Sequence, residues 1–349
     1  MSPTLHPRLL NGRTGDAGVL VEALHRPGVV LLDCGDLSAL SPRHLLRVEI
    51  VAVSHAHMDH WAGFDTLLRP LIGRERRLTL VGPAGFAQRV FHRLQAYTWN
   101  LAPRIPADLV FDVTEVVQGP SWPRTRLRLH GDFQPEPLPS LPVDPEGTVL
   151  RSGVLRLRAA VLDHGTPCLG FALEEEAHLN VWRTRLEERG LPTGPWLAGL
   201  KAAVLEGRPD DHPIPIFDRP SPAQGAPAMS LGALRDLVSV TPGQRLAYLT
   251  DFSDRPENRA AATALAKGAD TLFIEATFAA ADAAIALDRG HLTTRAAGEI
   301  ARAAGVRRVE PFHFSPRYAG QEARLLAELA DAAGPGIIVP DQAGSPAEP

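Results

Sequence analysis

His55-Ala56-His57-Met58-Asp59-His60 packs three imidazoles and one carboxylate into six consecutive positions. Imidazole and carboxylate are ligands for borderline divalent ions such as zinc. The cluster follows Ile50–Ser54, a short β-branched run that reads as a buried strand. A compact turn at a strand end lets alternate side chains converge on one point. Two ions close together can then share the group. A solvated polar turn is the plain alternative. A lone histidine would suit that alternative, and an HxHxDH unit does not.

The elements around the cluster must hold it still. Val19–Glu22 and Val29–Asp33 read as strands joined by a turn at Arg26–Gly28. Phe64–Leu71 is helical by spacing, Leu78–Val81 is a strand, and Phe86–Tyr97 is a helix after the turn Gly82–Gly85. Residues 101–150 hold nine prolines, which forbids a long helix and predicts edge strands and extended loops. Leu155–Leu162 and Gly170–Leu173 resume strand character. Residues 174–242 read as an insertion, helical over Val181–Gly190 and Trp196–Glu206, with six prolines and little periodicity over 209–227. Strands return at Leu246–Thr250 and Thr271–Glu275. Helices follow the pattern at Glu257–Lys267, Phe278–Leu287, Thr294–Ala304 and Gly320–Ala333. Thr293 or Thr294 is the expected N-cap of the third, and Gly305 its stop. Residues 336–349 are expected to form a mobile tail. The whole reads as one α/β (α+β) domain over 1–335 that carries the insertion.

The 349 residues are 44% hydrophobic, enough for a sizeable core. The net charge is −4, so binding to nucleic acid would need a local basic patch. With 32 prolines and 30 glycines the chain stays below low-complexity composition. Cys34 and Cys168, the two cysteines, supply neither a disulfide framework nor a four-cysteine zinc site. They read as reduced buried thiols. The N-terminus has no apolar leader, and no stretch of about 18 apolar residues occurs. A cytoplasmic protein without a membrane span is expected.

The histidine cluster resembles the signature of the metallo-β-lactamase fold superfamily. Further matches follow in that superfamily's order. Asp33 in Leu-Leu-Asp-Cys-Gly resembles its strand-end aspartate, and His164 after Leu155–Leu162 its next ligand histidine. Asp251 in Tyr-Leu-Thr-Asp-Phe resembles its metal-bridging aspartate, and His313 in Glu-Pro-Phe-His-Phe-Ser its last ligand. Within the superfamily the chain is similar to ribonuclease Z, which trims tRNA 3′ ends. His164–Phe171, Phe273–Phe278, Gly290–Thr294 and His313–Tyr318 resemble four of that family's segments, with Ile274 where the second has histidine. Gly190–Lys201 resembles the arm with which that family grips tRNA.

The resemblance implies a four-layer αββα sandwich with an inserted arm, and two divalent metal ions, zinc first among them. His55, His57 and His164 would hold one ion. Asp59, His60 and His313 would hold the other, with Asp251 bridging. Such a pair lowers the pKa of a water toward ~7 and neutralises negative charge that develops during attack. Asp59 would also orient the nucleophile or accept a proton. Glu275 and His291 would form a phosphodiesterase pair in which the carboxylate favours the charged imidazole and the imidazole protonates a leaving alkoxide. Ser315 and Arg317 would bind substrate phosphate. Precursor tRNA is the implied substrate, and a homodimer the implied assembly. The arm candidate carries five basic against six acidic residues over 174–209. That charge leaves a second reading open, a hydrolase of a small phosphodiester, cyclic nucleotide, thioester or lactone on the same fold.

Overall fold

The computed structural model describes residues 4–24, 26–217 and 227–340. The chain divides into two units, Met1–Glu174 with Gln244–Pro349, and Glu175–Gly243.

In the first unit, eight strands form one sheet in chain order: β1 (Leu5–Leu9), β2 (Val19–Ala23), β3 (Val29–Leu32), β4 (Val48–Ala52), β5 (Arg76–Pro83), β6 (Leu109–Val116), β7 (Ser121–Arg128) and β8 (Glu136–Pro142). β3 through β6 run parallel. The second sheet begins with β9 (Thr148–Ser152), β10 (Leu155–Asp163) and β11 (Pro167–Glu175). The second unit then contributes β12 (His178–Val181), β13 (Pro213–Pro215), β14 (Ala228–Ser230) and β15 (Val238–Thr241) in two small antiparallel pairs. Returning to the second sheet, β16 (Arg245–Leu249), β17 (Thr271–Glu275) and β18 (Arg308–Phe312) run parallel and complete the order β18-β17-β16-β11-β10-β9.

Strand alternation sets the layers, because successive side chains point to opposite faces. Val30 and Leu32 of β3 enter the same core as Leu246 and Tyr248 of β16. That core lies between the sheets. Val29 and Leu31 instead join Phe64, Leu67 and Phe86 of the helices Phe64–Leu71 and Phe86–Gln95. Ala247 and Leu249 of β16 pack with Leu265, Ile300 and Leu325 of the helices Pro256–Ala266, Thr294–Ala304 and Glu322–Ala333. The result is an αββα sandwich. Each fully buried Leu or Phe contributes about 1.5–3 kcal/mol relative to exposure.

Proline placement accounts for the 101–150 region. Pro137, Pro139 and Pro142 lie in β8, the edge of its sheet, where a missing N–H costs no ladder bond. Pro123 coincides with a register shift between Trp122 and Arg124. β6 has no proline and lies inside the sheet rather than at its edge. The helix expected over Phe278–Leu287 spans only Ala283–Asp288, after a 3-10 turn at Ala280–Asp282. Phe278 is drawn off instead into a parallel bridge with Thr293. The expected tail is pinned at its start. Ile338 bridges Arg308 and exchanges backbone hydrogen bonds with Arg307 and Val309. The remainder of that tail, 341–349, lies outside the described residues.

The second unit spans the segment read as an insertion and has its own core of Leu186, Trp196, Leu200, Ile214, Leu231 and Leu234. Helices Arg183–Glu188 and Trp196–Leu205 supply much of it. Residues 218–226 of its proline-rich stretch lie outside the described residues. No helix among the described residues is long and apolar enough to cross a membrane.

Candidate metal centre

The chemistry-bearing residues of the first unit stand where strands end. Asp33 follows β3, and the 54–60 turn follows β4, with the short helix Met58–Trp61 carrying Asp59 and His60. His164 follows β10, Asp251 follows β16, Glu275 ends β17, and His313 follows β18. Ends of parallel strands are where open α/β sheets gather ligands.

Two clusters form. The ligand atoms of His55, His57, His164 and Asp251 lie within 4.8 Å of one another, as do those of Asp59, His60, Asp251 and His313. Asp251 belongs to both. Its Oδ2 lies 3.3 Å from His60 Nε2 and 3.7 Å from both His55 Nε2 and His164 Nε2. Its Oδ1 accepts a hydrogen bond from the Thr250 hydroxyl at 2.7 Å. His313 Nε2 is 3.2 Å from Asp59 Oδ2.

Most of these rings are held from behind through Nδ1. His60 Nδ1 meets Asp33 at 2.7 Å, His164 Nδ1 the Gly290 carbonyl at 2.8 Å, His313 Nδ1 the Thr277 hydroxyl at 3.2 Å, and His55 Nδ1 the Ser54 hydroxyl at 3.1 Å. Such partners fix the tautomer and leave Nε2 for a ligand. Nε2 of His55 and of His60 are fully buried and have no hydrogen-bond partner among the described residues. A buried polar atom without a partner is costly, and a cation is the partner both lack. The residues therefore fit divalent metal.

The electrostatics agree. Burial pushes His55 down to about 2, with the neighbouring charge of His60 adding to it. His57 is lowered by burial and by His164. Burial also opposes charge on His60, yet the Asp251 and Asp33 carboxylates raise it well above the usual imidazole range. His313 rises against its own burial to about 9, drawn by Asp251 and Asp59. The His313 imidazole at 3.2 Å and the His60 imidazole at 3.5 Å hold Asp59 far below the usual carboxylate range. Asp251, despite burial, is held low by His313 and His60. Protons and a divalent cation compete for the same carboxylates here.

Local backbone strain accompanies the site. Asp33, Asp251 and His313 have φ of 59°, 44° and 62°, a region that non-glycine residues rarely occupy. Gly35 is required by contact, since a Cβ there would stand 2.3 Å from the Asp59 carbonyl.

A third group adjoins the clusters. Glu275 Oε2 is 3.1 Å from His291 Nδ1, and Oε1 accepts from the Phe252 N–H at 2.9 Å. The His291 ring centroid is 4.8 Å from that of His164 and 5.5 Å from that of His313. Burial works against charge on His291, but Glu275 raises its pKa. Thr277 joins the group by donating to Glu275 Oε2 at 2.6 Å. Ser315 caps the 3-10 turn Pro316–Tyr318, and its N–H donates to the Thr277 carbonyl. The Arg317 guanidinium lies over Phe278 and Tyr318, is 4.0 Å from Asp282 and is 45% exposed.

Sequence reasoning missed Thr277 and Tyr248. Tyr248 donates to Asp33 Oδ2 at 2.7 Å from 215 positions away, and no local pattern announces it.

The sequence matches the model of the beta-lactamase superfamily domain over residues 29–209 and 233–314. It is 34% identical over 315 residues to a ribonuclease Z of Deinococcus radiodurans, covering 88% of each chain. Among solved structures, the metallo-beta-lactamase fold protein YhfI of Bacillus subtilis superposes with a TM-score of 0.52 at 15% identity, covering 95% of this chain and 94% of that one. Human tRNase Z, short form, superposes with a TM-score of 0.50 at 16% identity, covering 90% and 92%.

Proposed function

The chain belongs to the β-lactamase superfamily, as a ribonuclease Z-like metal-dependent nuclease, and from that premise we propose that it works with two zinc ions and cuts the 3′ extension from precursor tRNA. The observation that carries this reading is the pair of ligand clusters sharing Asp251, with Glu275 and His291 beside them.

His55, His57, His164 and Asp251 would hold one ion, and Asp59, His60, His313 and Asp251 the other. Bound there, the ions supply Lewis acidity and a source of hydroxide near neutral pH. Asp59 orients the attacking water or takes its proton. Glu275 fixes His291 through Nδ1 and favours its protonated form. The P–O bond to the leaving alkoxide breaks, and that oxygen takes its proton from His291 Nε2. Ser315 and Arg317 bind the phosphate on the 313–318 segment. Arg317 suits this because its guanidinium is exposed and meets a carboxylate only at 4.0 Å. The reading includes a homodimer acting in the cytoplasm. Two buried free thiols, Cys34 and Cys168, suit a reducing compartment.

The excess of acidic over basic residues across the second unit, nine against seven over 175–243, favours a second reading, a small phosphodiester substrate. One experiment separates the two. Metal-loaded protein is given a 3′-extended precursor tRNA and, in parallel, bis(p-nitrophenyl) phosphate, with Asp59→Ala as control. Cleavage of the precursor that is lost in the control is the expected result. Hydrolysis of the small ester alone moves the substrate to the second reading. No hydrolysis of either by fully loaded protein overturns both.

A further inference from the structure

Asp33 is fully buried and collects four donors. Ser54 N–H reaches Oδ1 at 2.6 Å. Ser54 Oγ at 2.8 Å, His60 Nδ1 at 2.7 Å and the Tyr248 hydroxyl at 2.7 Å all reach Oδ2. Ser54 and His60 belong to the first sheet's own turn. Tyr248 does not. It comes from β16 of the second sheet and crosses the core between the sheets, with no exposed surface. Its ring stacks on Phe312 with centroids 5.3 Å apart and planes 25° apart. Phe312 directly precedes His313, and Tyr248 lies three residues before Asp251 on the same chain segment.

One side chain thus touches the supports of three ligands. It braces His60 through Asp33, shares a strand end with Asp251, and backs His313 through Phe312. All three belong to the cluster Asp59, His60, Asp251 and His313. The other cluster shares only Asp251 with them, and its His55 lies one step further from Asp33, behind the Ser54 hydroxyl. We infer that Tyr248 is a positioning residue that assembles the second metal site selectively, its hydroxyl setting the Asp33 carboxylate that aims His60. The inference rests on the two-ion reading above.

The test is metal titration of wild type and Tyr248→Phe by calorimetry, with unfolding temperature recorded for each. Phenylalanine keeps the stack on Phe312 and removes only the hydroxyl. Loss of an outer hydrogen-bond partner typically weakens metal affinity by about 10–100-fold. Wild type should show two binding constants. Tyr248→Phe should weaken one by about tenfold and leave the other unchanged. In a His313→Ala background, where the second site is already disabled, Tyr248→Phe should leave the remaining constant unmoved. A general loss of packing would lower both constants together and overturn the inference, as would no change in either. A single constant in wild type overturns the two-ion reading itself. Should Tyr248→Phe fold poorly, wild type labelled with 3-fluorotyrosine gives three fluorine signals, for Tyr97, Tyr248 and Tyr318. The Tyr248 signal should move only when the second site fills. A signal that moves with the first site, or not at all, overturns the assignment.

Discussion

Glu275 holds His291 by one carboxylate oxygen, at 3.1 Å, while its other oxygen is tied to the Phe252 N–H at 2.9 Å. The carboxylate therefore cannot swing away, and the imidazole it orients stands between His164 and His313. His291→Ala should lower kcat for phosphodiester hydrolysis by about 10²–10⁴-fold with metal content unchanged. Unchanged kcat would sink the proton-donor role. The donor must be protonated, so activity falls as pH rises through its pKa. Glu275 raises that pKa above the ordinary 6.5 despite burial. Glu275→Gln removes the cause, and the alkaline limb of the kcat profile should move to lower pH.

Metal removal should act on stability as well as on rate. If the ions bind as proposed, stripping them would leave the buried Nε2 atoms of His55 and His60 without a partner. An ion at 100 times its Kd adds about 2.7 kcal/mol to the folded state. Chelation should abolish hydrolysis and lower the unfolding temperature, and added zinc should restore both. Because Asp251 belongs to both clusters, Asp251→Ala should reduce bound metal at both sites. Full occupancy of one site in that variant would argue against a shared ligand.

The arm can be removed without breaking a sheet. Glu174 of β11 pairs with Arg245 of β16, so the segment leaves and re-enters at neighbouring backbone positions. Replacing Glu175–Gly243 by a short glycine linker should leave hydrolysis of bis(p-nitrophenyl) phosphate within about threefold of wild type, since none of its described residues belongs to a ligand cluster. Precursor tRNA cleavage should lose far more, mainly as a higher KM. Equal loss on both substrates would assign the arm a structural task instead.

Glu174 predicts how the base of the arm responds to acid. Burial alone would raise its pKa, but Arg245, Arg158 and Arg156 pull it down to about 2. Arg158 and Arg245 meet it at 2.8 and 2.7 Å. A depressed carboxylate stabilises the fold above its unfolded pKa of about 4.3 and loses that effect as pH falls toward 2. Glu174→Gln should cost about 2–3 kcal/mol at pH 7, because three guanidinium groups lose their common partner. In urea unfolding the gap between the two proteins should close between pH 4.5 and 2. A gap independent of pH would assign the loss to packing.

Much of the centre is legible in the chain because its chemistry is local. His55, His57, Asp59 and His60 share one turn, and their types declare a metal before any fold is known. His164, Asp251 and His313 are legible only through the motifs around them. Their convergence depends on strands far apart in sequence. Tyr248 escaped because a buried hydroxyl in an apolar strand reads as core, and Thr277 because a single threonine in the loop after β17 announces no partner. β18 escaped because Arg308, Glu310 and Pro311 break any apolar run, and an edge position tolerates all three. The helix forecast at Phe278–Leu287 failed at its start for a tertiary reason, the bridge from Phe278 to Thr293.

Asp33, Asp251 and His313 all adopt backbone angles for which a folding chain on its own would select glycine. Each non-glycine residue held there costs of order 1–3 kcal/mol. Glycine at Asp251 or His313 would relax that backbone cost, whereas at Asp33 it would also leave four buried donors without their acceptor. Aspartate and histidine at the last two of these strand ends serve the ligand clusters, and glycine at either would trade a ligand for an unstrained backbone.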